Sequence, residues 1–172
     1  MASCELHAAS FDWYCEQGHV GLERVAKARR DPALREPVTA AVERLRAIYA
    51  RLKGDESVLY AARENLLLPV QRREPAGTIV AIDDESHFTS FRLAALELYP
   101  ADALLGFDID EHKNLCRELA PRTDRLGRGL AAKGFGFGGV PRERAYNDAL
   151  LDLAAPAMGY PAVIRVPALS PR

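Results

Sequence analysis

Apolar residues recur along this chain in two rhythms. From Val38 they fall at Ala41, Val42, Leu45, Ile48, Tyr49 and Leu52, the spacing of one helix face, while Glu43, Arg44, Arg46, Arg51 and Lys53 take the opposite face. Glu36-Pro37 supplies a start, because proline's fixed φ suits the first helical turn, and Gly54 supplies a stop. The same rhythm predicts a helix over 11–29, capped by Ser10, with Phe11, Tyr14, Cys15, Leu22 and Val25 on one face. It predicts a third helix capped by Asp55, with Val58, Leu59, Ala62 and Leu66 inward, stopped before Pro69.

After a polar connector over 71–77 the rhythm changes. Thr78-Ile79-Val80-Ala81-Ile82 is a short β-branched run that ends in Asp83-Asp84-Glu85-Ser86-His87. Leu104-Leu105-Gly106-Phe107 is a second such run, and it ends in Asp108-Ile109-Asp110-Glu111-His112. Between them a helix carries Phe91, Leu93, Ala94, Leu96 and Leu98, and Pro100 ends it. After them a helix from near Asp110 carries Leu115, Cys116 and Leu119, and Pro121 closes it. A short helix over 123–132, a flexible loop from Gly134 to Gly139, a helix from Pro141 and a last strand over Ala162–Val166 complete the expectation. The fold class is α/β: N-terminal helices over 1–70, then a small, mainly parallel Rossmann-like sheet over 77–172, all in one domain. A βαβ connection makes the first two strands parallel, so both acid-and-histidine turns share the sheet edge where open α/β sheets place ligands.

Composition narrows the function classes. With 23 Lys and Arg against 24 Asp and Glu, the net charge is -1, so no overall basic field draws nucleic acid or a membrane surface. The densest basic cluster, Arg122, Arg125 and Arg128, reads as a solvated helix face or an anion site. No apolar run approaches a membrane span, and the N-terminus lacks the basic start and apolar core of a signal peptide, so the expected compartment is the cytoplasm. Three cysteines fit a reduced environment better than a disulfide framework.

The carboxylates and histidines of the two turns carry the chemistry. Carboxylate plus imidazole is a ligand set for Zn, Fe or Mn. The same groups serve acid–base catalysis, since crowded carboxylates push their pKa values apart. They also serve simply to cap the helices that follow. Elsewhere, Cys4, His7, Cys15 and His19 form a C-x2-H…C-x3-H array of zinc-ligand type. Gly134, Gly136 and Gly139 formally match a dinucleotide fingerprint, although Leu130-Ala-Ala-Lys before them reads as helix where the motif needs a strand, and Phe135 and Phe137 read as a lid or as anchors of the loop. Cys116 lies one helical turn from His112, yet falls on the apolar face with Leu115 and Leu119 and reads as a packed thiol.

The stretch Thr78-Ile-Val-Ala-Ile-Asp-Asp, the helix through Leu98, and Ala103-Leu-Leu-Gly-Phe-Asp108-Ile-Asp110 resemble the opening of a class I S-adenosylmethionine-dependent methyltransferase. The resemblance covers roughly Glu74 to Arg122. It implies binding of S-adenosylmethionine or a related nucleoside, with Asp83, Asp108 and Asp110 as cofactor contacts and Asp108 on the ribose, and with His87 or Glu85 as the catalytic base. The family's glycine-rich turn is absent, replaced by Asp84-Glu85-Ser86-His87-Phe88-Thr89, and the chain is short for the family's sheet. Three expectations follow: a small methyltransferase-like enzyme; a non-catalytic interaction or regulatory module that forms an oligomer or holds a protein partner; or a metal-dependent hydrolase or lyase built from His87, His112 and the nearby carboxylates.

Overall fold

The helical rhythm from Val38 folds as read. The computed structural model describes residues 21–24, 31–61, 67–70, 72–73 and 78–169. Helix α1 (Arg35–Arg51) buries Val38, Leu45, Ile48 and Tyr49. It ends as the backbone turns at Lys53, with Gly54 N–H donating to the Tyr49 carbonyl. Helix α2 (Glu56–Ala61) follows, its first turn held by the Asp55 carboxylate on Ser57.

Strand β1 (Gly21–Arg24) pairs antiparallel with β2 (Leu67–Val70). Gly21–Arg24 therefore departs from the helix expected over 11–29; glycine is a poor helix former, and pairing with β2 satisfies this backbone instead. The rest of that expected helix lies outside the described residues, apart from these four positions. So do Cys4, His7, Cys15 and His19.

Strands β3 (Arg72–Arg73) and β4 (Thr78–Asp83) pair antiparallel, and β4 pairs parallel with β7 (Ile164–Pro167). The fold is thus α/β, with helices ahead of a small sheet whose longer ladder is parallel. The crossover from β4 to β7 runs through α3 (Ser90–Leu96), α4 (Ile109–Thr123) and α5 (Val140–Ala157). Parallel neighbours require such a long return.

Leu104–Phe107 is not a strand. The parallel place beside β4 belongs to β7, and Gly106 instead crosses the chain at Val163 so closely that a Cβ would lie 2.6 Å from the Val163 carbonyl oxygen. Pro121 does not close α4, which continues to Thr123; near a helix end the missing proline N–H costs only one internal bond. Residues 124–130 form turns rather than a helix, and β5 (Ala131–Ala132) and β6 (Gly136–Phe137) make a small hairpin. Gly127, Gly134, Gly136 and Gly138 all have positive φ, which a helix cannot use.

The main core gathers α1, α5, β4 and the hairpin. Helix α5 is buried almost all round and packs against α1 and α3. Tyr49 lies 4.8 Å from the Phe135 ring and 5.0 Å from Tyr146, with its hydroxyl 3.1 Å from the Asp55 and Gly134 carbonyls. Phe135 thus anchors the hairpin, while Phe137 is exposed. A smaller cluster of Phe88, Leu96, Cys116 and Leu119 joins α3 to α4.

Thr89 caps α3, its hydroxyl accepting from the Arg92 N–H at 3.1 Å while almost fully buried. Thr89→Ala is expected to cost about 1 kcal/mol in urea unfolding, the usual value of a lost N-cap.

Candidate functional site

Strand pairing builds the centre of the site. Ala81 pairs with Arg165 and Asp83 with Pro167, so Asp83 sits two residues beyond Ala81 on the same face as the Arg165 partner position. Arg165 Nη1 reaches the Asp83 carboxylate at 2.7 and 3.0 Å. Asp148 and Asp152 lie one turn apart on α5, hence on one face. They close the other side. Arg165 donates from Nε to Asp152 at 2.7 Å, from Nη1 to the Asp148 carboxylate at 3.2 Å, and from Nη2 to the Asp148 carbonyl at 3.1 Å.

A second guanidinium completes the interior. Arg92 donates to Asp152 at 2.6 Å and to the Tyr99 hydroxyl at 2.7 Å, and that hydroxyl donates in turn to Asp152 at 2.7 Å. Both arginines are buried, and burial works against their charge, but Tyr99 and Asp152 beside Arg92, and Asp152, Asp148 and Asp83 around Arg165, hold them charged more firmly than arginine in water. Burial, with Asp152 beside it, pushes the Tyr99 hydroxyl well above its ordinary pKa.

The outer rim is histidine. His87 ends the 3-10 turn Glu85–His87, with Nδ1 2.9 Å from Asp148 Oδ2 and 3.6 Å from Asp83. Its side chain is 23% exposed against 2% and 9% for Asp83 and Asp148, so His87 is where the cluster meets solvent. His112, on α4, is buried with Nε2 3.4 Å from Asp83 and packs between Phe88 and Phe107. Phe107 also lies 6.0 Å from the Arg165 guanidinium.

Charge accounting explains the pKa directions. Three carboxylates face two guanidiniums, which leaves one negative charge inside the cluster. Burial works against ionised Asp83, but Arg165, His112 and His87 outweigh it and hold the carboxyl at about 2. Asp148 is likewise lowered against its burial, by Arg165 and then by His87. Burial works against protonated His87, yet the bond to Asp148 and the charges of Asp148 and Asp83 raise its pKa above the ordinary 6.5. The leftover negative charge is therefore matched by a proton on His87 or by a cation in its place.

Of the residues expected at the site, the fold brings together Asp83, His87 and His112. Glu85 turns away to accept from Arg122 at 2.7 Å. Asp108 caps α4, its Oδ1 accepting from the N–H groups of Asp110 and Glu111 at 2.9 Å, and both Asp108 and Asp110 are exposed. Asp84 caps the 3-10 turn through Ser86 N–H and also accepts from the Ser86 hydroxyl. Cys116 is packed, and burial pushes its thiol up to about 11, where no reactive thiolate forms at neutral pH.

Sequence reasoning missed Asp148, Asp152, Arg92 and Arg165. A signal existed: Asp148 stands at the head of the otherwise apolar run Ala149–Ala155 and Asp152, four residues on, stands inside it, and Arg165 interrupts Val163-Ile164 and Val166. Charges placed inside buried elements are those that need partners.

Geometry and fold together define an α/β protein with a buried aspartate–arginine centre rimmed by histidine. Residues 47–132, half of the chain, match a family model described as Family of unknown function (DUF7255), and the chain belongs to that family. The matched stretch holds Asp83, His87, Arg92 and His112, whereas Asp148, Asp152 and Arg165 come from the part beyond it. No curated protein and no solved structure matches the chain. Among the described residues, no helix is long and apolar enough to cross a membrane.

Proposed function

We propose that the chain is a metal-dependent hydrolase or lyase whose centre is Asp83, His87 and Asp148. One observation carries this reading: a donor atom from each of the three, drawn from a strand end, a 3-10 turn and a helix, lies within 4.8 Å of the others. Divalent-metal bonds of about 2.0–2.2 Å set neighbouring donors roughly 3 Å apart, and His87 Nδ1 already lies 2.9 Å from Asp148 and 3.6 Å from Asp83. Two carboxylates and an imidazole suit Zn, Mn or Fe. Arg165 takes the inner side of both carboxylates and fixes their orientation, as outer partners of metal ligands do. A cation beside His87 replaces the imidazole proton and answers the unmatched negative charge. Asp83, His87 and Asp148 would hold such a cation at the solvent rim, and the chemistry it would supply there is a water of lowered pKa, which hydrolysis needs.

Calorimetric titration of metal-free protein with Zn2+ and with Mn2+ at pH 7.5 tests this. One site per chain is expected, with proton release, and a loss of affinity of about a hundredfold or more in Asp148→Asn and in His87→Ala. Binding that survives both substitutions unchanged, or no binding by folded protein, defeats the reading.

A nucleoside reading of the same edge rests on Asp83 at the end of a parallel strand. It has less behind it, since Leu104–Phe107 is not a strand and the Asp108 carboxylate already caps α4. Titration with S-adenosylmethionine separates the two: saturable heat favours the methyltransferase-like function, and silence beside metal binding favours the hydrolase.

A further inference from the structure

Helix α3 has two working faces. Arg92 points into the aspartate cluster. Ser90 and Ala94 lie two positions either side of it, about 200° away round the helix, and line a cavity of about 630 Å3 on the other face. Arg51, Lys53, Arg128 and Arg142 also line this cavity, and among the described residues no carboxylate does. Arg128 and Arg142 are held in place by the carbonyls of Asp124 and Phe135, each through one nitrogen. Among the described residues, an acid tied to the wall is Asp124, whose carboxylate accepts from Ser90 N–H and hydroxyl. Four cations against that one carboxylate leave a strong positive excess around a concave space.

Leu52 and Phe91 give the same cavity an apolar wall. A bare inorganic anion needs neither that wall nor a volume in the range that holds organic ligands. Concave walls of one charge sign concentrate counter-charge, and guanidiniums are suited to phosphate oxygens. Like charges drawn together without a partner repel, so an anion gains affinity by relieving them.

We infer that this cavity is a second site, which binds a phosphorylated small molecule with an apolar or planar body, of nucleotide type. The site is built from the end of α1, the outer face of α3, the turns that lead into β5, and the segment that carries the β5–β6 hairpin into α5. It is independent of the proposed metal centre and stands if that centre fails.

The test is calorimetry on the full chain with EDTA present, so that no metal at the other site contributes. ADP is expected to bind saturably at one site per chain, at least about tenfold tighter than pyrophosphate, and adenosine is expected not to bind. The double variant Arg51→Gln, Lys53→Gln is expected to weaken ADP at least about tenfold, the least that even one lost charge-assisted bond implies. Among the described residues no hydrogen bond or ion pair of these two side chains is seen, so the fold should survive, and circular dichroism checks it. Arg122→Gln, a surface arginine paired with Glu85 outside the cavity, is expected to change ADP affinity less than about twofold. No saturation by ADP overturns the proposal. So does an equal loss in Arg122→Gln, which marks a diffuse charge effect, or pyrophosphate as tight as ADP. Binding of a single-stranded oligonucleotide without binding of ADP makes the occupant a nucleic acid and overturns it as well.

Discussion

Arg165→Met is expected to lower unfolding stability by about 3–5 kcal/mol at pH 7, read from urea midpoints with an unchanged slope. The size follows from what Arg165 leaves behind rather than from the bonds it makes. Asp83, Asp148 and Asp152 are all buried, and Arg165 touches all three. Without it, Arg92 remains paired with Asp152 and acts on Asp148 only from a distance, and among the described residues the ion-pair partners left to Asp83 and Asp148 are histidines. Methionine fills much of the volume, so the loss reports charge rather than cavity. Buried carboxylates without a cation take up protons, so the variant is expected to recover part of its deficit as pH falls toward 5. A loss under about 1 kcal/mol would show that water reaches the cluster and screens it.

The second large effect is acid sensitivity of the unmodified chain. Asp83 has a folded pKa of about 2 against 3.8 for an ordinary aspartate. A lowered pKa contributes stability that is complete above the unfolded value and is lost as pH falls through the folded value. The difference corresponds to about 2 kcal/mol, surrendered between roughly pH 4 and pH 2, and the lowered Asp148 adds to it. His87 acts with the opposite sign. Its raised pKa gives stability that is complete below 6.5 and is lost as pH rises through the folded value. Stability of metal-free protein is therefore expected to plateau between about pH 4 and 6.5, with a steep acid limb and a shallow alkaline one. Asp83→Asn should flatten the acid limb, and His87→Gln the alkaline one. An acid limb that keeps its slope in Asp83→Asn would assign the proton uptake elsewhere.

These two results bear on function because the same charges orient the candidate ligands. Arg165 binds one oxygen of Asp148 and leaves the other to His87. A variant that loosens Arg165 should therefore weaken metal binding as well as folding, whereas Thr89→Ala should reduce stability with metal affinity unchanged.

The sequence by itself determined the elements whose pattern is local. The 3.6-residue rhythm placed α1 within a few residues, and the β-branched run Thr78–Ile82 placed β4 and the acidic turn after it. It also placed Pro141 at the start of α5 and a strand near Ile164–Val166. The place of His87 at the sheet edge was legible because a strand end in an α/β unit is where a polar turn meets that edge. Only the tertiary structure decided which strand lies beside β4. Leu104–Phe107 and Ile164–Pro167 are both short apolar runs, and periodicity carries no information about which of them pairs. Close passage of Gly106 over Val163 and the parallel register of Arg165 against Ala81 settled it, and each joins residues far apart in the chain. The same register set Arg165 among three aspartates and left Asp108 as a helix cap. A buried charge is specified by the partners that surround it, and here those partners meet only after the crossover through α3, α4 and α5 has closed.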